Sequence, residues 1–465
     1  MYEVPKEYNF RIHHVRPRFK DNLESVLLFM ATKICQIKEC NSKEFKEKLN
    51  AEIIKFPGNN NKSIKTINNW RTEISSLFGY FIVDGKTTRP GELAIQLNES
   101  GDIPRSFNYF LYKFQYPGAH IKAEKILEQI EHHVKFKPAQ YILSVLSVAK
   151  EENPGDAFIT VGECTHCIFN DLRCTRYNHE PYSDTWHRII TNRREDAIYN
   201  TKGDITRYAH DILDYMTQAG LLNCVNNAYY MNTLASKTIN LFINSNESFH
   251  EYDAMIKSGS GSLKEINKCK VNWFKYVNDI NHISLSTDVV AYMNSTLDRY
   301  NKDKERIEKA INQNLKYGNT KAIGDQGEGV VYQYELDNVA KHNRKDLEHL
   351  ITFIPTKLAV GYDFNSIEPS TELRRYIEVK STISSSNLII NSFHMTPNEV
   401  RTARTVGPHY FIYRLKIIRD KKPRLTIIND PIKLINEHKL LGDLEDTSNG
   451  LDISYNPNDF KEVEI

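Results

Sequence analysis

Cysteine is scarce in this chain, seven in 465 residues and odd in number, which excludes a secreted framework of paired disulfides. No apolar run approaches the ~20 residues that a membrane-spanning helix needs. The longest, around Val26–Ala31 and Ile351–Ile354, are short enough to be core elements. The first residues, Met1-Tyr2-Glu3-Val4-Pro5-Lys6-Glu7, lack the apolar stretch of a signal peptide, so a cytoplasmic location is expected. Glycine (20) and proline (16) are too few for a collagenous or low-complexity chain. Excess charge of one sign is missing too, with 61 Lys+Arg against 59 Asp+Glu, net +2. That balance conceals a polarity. Residues 440–465 carry one lysine and seven acids, which leaves 60 basic against 52 acidic residues elsewhere, a body of net +8 suited to meeting a polyanion. The acidic tail is expected to be a solvated terminus.

What is present is ordinary for a globular protein: 40% apolar and 26% charged residues, and a length that suggests about three domains at ~150 residues each. The expected fold class is multidomain α+β: two winged-helix-like modules (1–110 and 111–245), a helical connector (246–315), a C-terminal α/β core with a mixed sheet (316–435) and the acidic tail (436–465).

The first module is read from a helical pattern at Asn22–Ile37 and a second over Ser63–Gly79, closed by glycine. Two extended runs follow, Tyr80–Val83 and Glu92–Leu97, flanking a basic turn. The same order recurs where a helical pattern over Ile205–Ala219 ends at Gly220. There Leu221–Val225 and Tyr229–Asn232 flank an Asn226-Asn227 turn, a hairpin signal. Helix followed by a hairpin with a charged tip is the outline of a winged helix-turn-helix. Ser258-Gly259-Ser260-Gly261-Ser262 reads as a flexible string, and Asp288–Leu315 as a long charged helix.

DNA-contact candidates are Arg11, Arg16 and Arg18 in a basic segment interleaved with apolar residues. Lys65, Asn68, Asn69 and Arg71 on the second helix, Lys86 and Arg89 in the turn, and Arg193, Arg194 and Arg207 near the second module complete the set. Cationic groups serve phosphates, and amides or guanidinium groups can read base edges. The competing reading of each is a solvated face. Cys164, Cys167, Cys174 and His179 have a spacing that could hold Zn²⁺; the competing reading is that the cysteines fill a helix interior as small hydrophobes. No phosphate-binding lysine motif or dinucleotide fingerprint is present, so no nucleotide cofactor is expected.

The sharpest constellation lies near the C-terminus. Tyr376–Thr382 alternates as a strand, placing Glu378 and Lys380 on one face, and Asp363 lies 15 residues before Glu378, a hairpin's distance. Two carboxylates suit a hard divalent ion such as Mg²⁺, which lowers the pKa of a bound water and neutralises charge on a phosphodiester. A lysine beside them can orient or deprotonate the water. Asp363…Glu378-Val379-Lys380 resembles the PD-(D/E)xK signature of restriction-endonuclease-like nucleases, with Tyr362 where the proline usually stands. Gly324–Tyr332 resembles the first helix of that fold, whose active-site glutamate corresponds to Glu328. Phe393–Val400 and Tyr410–Leu415 resemble its second helix and next strand. The resemblance covers about 320–420. It implies a Mg²⁺-dependent endodeoxyribonuclease akin to type IIS or modification-dependent restriction enzymes. Asp363 and Glu378 would be the metal ligands, Lys380 and Glu328 would act beside them, double-stranded DNA would be the substrate, and two chains would meet for double-strand cleavage. The competing readings are a DNA-binding regulator with a degenerate nuclease core, or a less specific nuclease effector. Glu378 and Lys380 could also be a solvated ion pair on an edge strand, and Glu328 a first-turn helix acid.

Overall fold

The computed structural model describes the chain except residues 16, 18, 20, 21, 203, 286, 289–291, 293–325, 355–359, 389–390 and 446. Arg16, Arg18 and nearly all of the helix expected over 288–315 lie outside the described residues. The chain divides into two compact units, Met1–Leu97 with Ile103–Ser286, and Asn98–Asp102 with Thr287–Ile465. Among the described residues no helix is long and apolar enough to cross a membrane.

The first unit begins with α1 (Leu23–Ile37), β1 (Cys40–Asn41), α2 (Ser42–Lys55) and α3 (Ile64–Ser76). Ser63 caps α3, its hydroxyl accepting from Thr66 N at 3.3 Å, and Ile67, Trp70 and Ile74 form its buried stripe. The hairpin of β2 (Phe81–Asp84) and β3 (Thr87–Pro90) follows, and the sheet order is β1-β3-β2. Its second strand lies within the segment expected to be a turn. Glu92–Leu97, expected as that strand, is the start of α4 (Glu92–Ser100). Leu93, Ala94 and Leu97 are buried at positions that share one face of a helix, which a two-residue period cannot satisfy. Helices α5 (Ile103–Lys113) and α6 (Ala123–Glu131) come next.

The second half of this unit repeats the wiring. After α7 (Pro138–Glu152), strand β4 (Phe158–Thr160) precedes α8 (Tyr182–Arg194) and α9 (Arg207–Gln218), and then the hairpin β5 (Leu222–Val225) and β6 (Ala228–Met231). The order β4-β6-β5 again pairs the first strand with the last. Asn226 and Asn227 both take positive φ, 52° and 62°, the left-handed pair that a two-residue hairpin turn needs. The serine–glycine string is the tight joint between α10 (Asp253–Ser258) and α11 (Leu263–Asn278). Gly259 closes one helix at φ 65°, and Ser262 opens the next with a Glu265 capping box. Tyr252, Ile256, Ile266 and Trp273 share one buried cluster with Ile126 and Ile130 of α6.

The second unit is a mixed six-stranded sheet with helices. Helix α12 (Gln326–Lys341) precedes β7 (Thr352–Phe353), β8 (Phe364–Ile367), β9 (Arg374–Ser384), β10 (Ser392–Met395), α13 (Pro397–Val406) and β11 (Tyr410–Ile418). Then come β12 (Arg424–Asn429), α14 (Pro431–Asn436), β13 (Leu451–Ser454) and β14 (Glu462–Glu464). The sheet order is β14-β12-β11-β9-β8-β7, with β9 and β11 parallel and central. Helix α12, strands β8 and β9, helix α13 and strand β11 follow the expected order with β7 and β10 added, and Phe393–Met395, expected in the second helix, lies in strand β10 instead. The acidic segment 436–465 is not a solvated terminus. Strand β13 pairs with β10 and β14 with β12, while Leu440, Leu451, Ile453 and Tyr455 are buried with Val400, Tyr410 and Ile428. Its apolar residues alternate with its acids, so one side of the segment packs while the charges stay in water.

Candidate active site

Hairpin pairing of β8 with β9 sets the site. Phe364 faces Ile377 in antiparallel register, and Asp363, just before β8, donates its backbone N–H to Ile377 O at 2.8 Å. The Asp363 carboxylate accepts from Val379 N at 2.7 Å, which fixes it between Glu378 and Lys380 along the strand. Two residues earlier, Gly361 has φ +79°, and a Cβ there would stand 2.7 Å from Thr402 Oγ1 of α13. Glycine therefore lets the turn carrying Asp363 lie directly on that helix. Thr402 Oγ1 donates to Val360 O at 2.7 Å and Tyr410 OH to Gly361 O at 2.8 Å, tying down the same turn.

Glu378 is 6% exposed and β9 is a central strand, so a solvated pair on a sheet edge is not what forms. Lys380 Nζ lies 2.7 Å from Glu378 Oε1 and 2.7 Å from Glu399 Oε2 of α13. Burial and the Glu328 carboxylate push Asp363 well above the usual carboxylate range, and burial with Asp363 does the same to Glu378. Burial works against the charge of Lys380, yet Glu378 and Glu399 prevail and hold its ammonium protonated. Burial likewise opposes ionisation of Glu399, but Lys380 and its capping bonds keep it below its ordinary value. Lys380 thus stands as a cation held between the Glu378 and Glu399 carboxylates. Glu328, in the first turn of α12, acts electrostatically on Asp363, so the sequence-predicted set of four is brought to one place.

Two members were not foreseen. Glu399 closes a capping box with Thr396, accepting from Thr396 N at 3.1 Å, while its carboxylate reaches Lys380. The Thr396-x-x-Glu399 spacing was its only sequence signal. Arg414, 3% exposed, sits opposite Lys380 in the parallel register and donates to Lys380 O at 2.8 Å. Its signal was a charged residue flanked on both sides by apolar and aromatic ones, Tyr413 and Leu415, in strand β11.

Among the described residues no three His, Cys, Asp or Glu side chains are grouped as a ready metal cage. Mg²⁺ needs no such cage, because one or two carboxylates with water and substrate oxygens suffice, and Asp363 with Glu378 supplies that donor set. The four zinc candidates lack a cage and are otherwise engaged. Cys164, Cys167 and Cys174 are buried, and burial raises their thiols, Cys167 to about 11. Cys174 Sγ donates to Cys167 O at 3.0 Å, while the exposed His179 turns Nδ1 to Glu180 O at 2.7 Å.

The basic candidates divide. Lys65, Lys86, Arg89 and Arg194 are exposed and without a carboxylate partner among the described residues. Arg71 donates to Asn50 at 2.7 Å and Asn68 at 2.8 Å, a polar network joining α2 and α3, and the Asn69 amide nitrogen is buried. Arg193 is committed to Glu163 at 2.6 Å and lies over the Phe158 ring, 3.9 Å from its centroid. Arg11 donates to Asp204 O at 2.5 Å and stacks on Tyr208, and Arg207 pairs with the Asp204 carboxylate.

Residues 2–274 match the family described as the restriction endonuclease BpuJI N-terminal region. The chain belongs to that family. Residues 327–428 match a second family, the C-terminal region of the protein NO VEIN. The solved structure of pyrene- and phenanthrene-modified DNA in complex with the BpuJ1 endonuclease binding domain superposes over 60% of this chain and 100% of that one, at 22% identity and a TM-score of 0.53. That similarity is one of fold. The restriction endonuclease FokI aligns over 88% of this chain and 86% of its own at 8% identity, but its TM-score of 0.23 does not match folds. No curated protein matches.

Proposed function

We propose that the chain is a Mg²⁺-dependent endodeoxyribonuclease of restriction type, whose first unit reads double-stranded DNA and whose second unit hydrolyses phosphodiester bonds with a PD-(D/E)xK-like site. One observation carries it: Glu378 and Lys380 on the central strand β9 are drawn together with Asp363 just before β8, with Glu328 and Glu399 beside them, at an electrostatic cost no packing need explains. Bound Mg²⁺ would supply a water of lowered pKa and neutralise charge on the scissile phosphate. Asp363 and Glu378 would hold it, and the Val379 amide orients the Asp363 carboxylate. Lys380 directs its ammonium at the attacking water or a phosphate oxygen, and Glu399 fixes the lysine's direction. Arg414 braces the strand backbone at Lys380.

Membership in the BpuJI N-terminal family and the repeated strand wiring support DNA binding by two winged-helix-like modules in the first unit. Lys65, Lys86, Arg89 and Arg194 are its phosphate-contact candidates. One site per chain implies that two chains meet to cut both strands. The test is plasmid digestion with Mg²⁺, using methylated and unmethylated DNA, by wild type and by Asp363→Ala and Lys380→Ala. The wild type is expected to cut at fixed positions. Both variants are expected to bind DNA with unchanged affinity and to leave it whole. Cleavage by either variant at the wild-type rate overturns the site, and random cut positions favour a non-specific effector.

A further inference from the structure

One buried carboxylate of the second unit takes no part in the cleavage chemistry set out above. Glu335 of α12 is fully buried, and its carboxylate accepts from Ser366 Oγ of β8 at 2.5 Å and from Tyr413 OH of β11 at 2.8 Å. Arg375 of β9 lies 3.9 Å away, but its guanidinium pairs with Glu368 and donates to Tyr413 OH at 3.1 Å. One helical side chain thus grips strands that are neighbours in the order β11-β9-β8.

Packing alone does not call for a carboxylate there. Val331 and Val339, one turn before and one turn after, are fully buried, so an apolar side chain would continue the stripe. Burial raises the Glu335 carboxyl above its ordinary 4.5, against the pull of Ser366, Arg375 and Tyr413. Buried charged groups are often no more stabilising than apolar groups of similar volume. What a satisfied hydrogen-bond network adds is a unique arrangement.

Arrangement matters at the other end of the same helix face. Glu328 precedes Glu335 by seven residues, two turns or ~10 Å along α12. Glu328 acts electrostatically on Asp363, which lies three residues before Ser366. Like charges repel, so the turn bearing Glu328 needs an anchor to stay beside Asp363. The Glu335–Ser366 bond joins the helix that carries Glu328 to the strand that follows Asp363.

We propose that Glu335 is a positioning residue of the cleavage site: through Ser366 and Tyr413 it holds α12 so that Glu328 stays beside Asp363. The proposal rests on the cleavage reading above and gives Glu328 a part in the reaction that depends on Glu335.

The test is a double-mutant cycle on the full-length protein. Single-turnover plasmid cleavage with Mg²⁺ is measured for wild type, Glu335→Gln, Glu328→Gln and the double variant, with DNA affinity by gel shift in EDTA. Glu335→Gln keeps the side-chain volume but only one accepting oxygen. It is expected to slow cleavage at least tenfold while DNA affinity stays within twofold. Glu328→Gln is expected to lose at least as much, and the double variant to stay within twofold of Glu328→Gln. A merely structural Glu335 would instead multiply the two losses. Multiplied losses, or a wild-type rate in either single variant, overturn the proposal. Where Glu335→Gln does not fold, Tyr413→Phe decides, because it removes one hydroxyl and keeps the ring. A loss of about threefold in wild type and none in Glu328→Gln supports the proposal, and any other pattern overturns it. Asp363→Ala separates the two readings. If it cuts at the wild-type rate, the cleavage reading itself has failed; if it is inactive while Glu335→Gln cuts normally, only the role of Glu335 has.

Discussion

The two units handle charge in opposite ways. In the first, three charged side chains with little exposure are each answered by an opposite charge: Arg193 meets Glu163, Lys113 meets Glu247, and Arg188 meets Glu180. In the second, β8, β9 and α13 bring Asp363, Glu378 and Glu399 to one lysine, with Glu328 acting on Asp363, so like charges are crowded. Paired charges are compatible with a purely structural role. Crowded ones weaken the native state unless a cation answers them, so their persistence points to chemistry. The contrast also separates the basic residues. An arginine already matched inside the first unit is a poor DNA contact, whereas an exposed lysine without a partner is a good one.

Asp363→Ala or Glu378→Ala breaks the crowded cluster, and Mg²⁺-dependent plasmid cleavage is expected to fall by roughly 10³-fold or more. Binding measured by gel shift should stay within about twofold. Glu399→Gln frees Lys380 from one of its two anchors. Its cleavage rate is expected to drop by about 10–100-fold, a smaller loss than removal of a metal-ligand candidate, because an outer partner orients and does not react. Equal losses for Glu399→Gln and Asp363→Ala would place Glu399 among the ligands.

On the paired side, Arg193→Ala leaves Glu163 buried without its cation, and a loss of about 3 kcal/mol in urea unfolding is expected. Lys65→Ala should cost no measurable stability. It should weaken binding to all DNA sequences alike and lower the slope of log K against log salt by about 1. If Arg193→Ala changed the salt slope without lowering stability, the division between matched and free cations would fail.

The smallest effect concerns pH. His120 is buried with neither ring nitrogen hydrogen-bonded among the described residues, and burial holds it well below its ordinary value of 6.5. The native state keeps it neutral while the unfolded chain protonates near 6.5. Stability of the first unit should therefore decline as pH falls below about 6.5 and stop declining only at the lower native value. The urea midpoint at pH 5.5 against 7.5 measures this, and His120→Phe should flatten the difference.

Much of the site was legible because its signals are local. A two-residue period placed Glu378 beside Lys380, and a hairpin's separation brought Asp363 to them. Glu399 and Arg414 were not legible, because they arrive through the β9–α13–β11 crossover, whose register no short motif encodes. In the first unit the Asn226-Asn227 turn announced its hairpin, since left-handed backbone has strong residue preferences. The earlier hairpin was misplaced because Thr87–Pro90 is a short exposed strand, and Leu93, Ala94 and Leu97 supplied a stronger apolar signal for the wrong element. The C-terminal segment was misread because net charge masked an alternating apolar pattern.

Among the described residues, strand β14 pairs with β12 alone and forms one border of the six-stranded sheet. An open border of backbone donors and acceptors is a template on which other chains can stack. Here that border is three residues long and carries Glu462 and Glu464. Lys416, 2.7 Å away, partly neutralises Glu462. A second copy approaching edge to edge would set its own pair of glutamates against these. The glutamates of this strand therefore disfavour edge-to-edge pairing with a second copy.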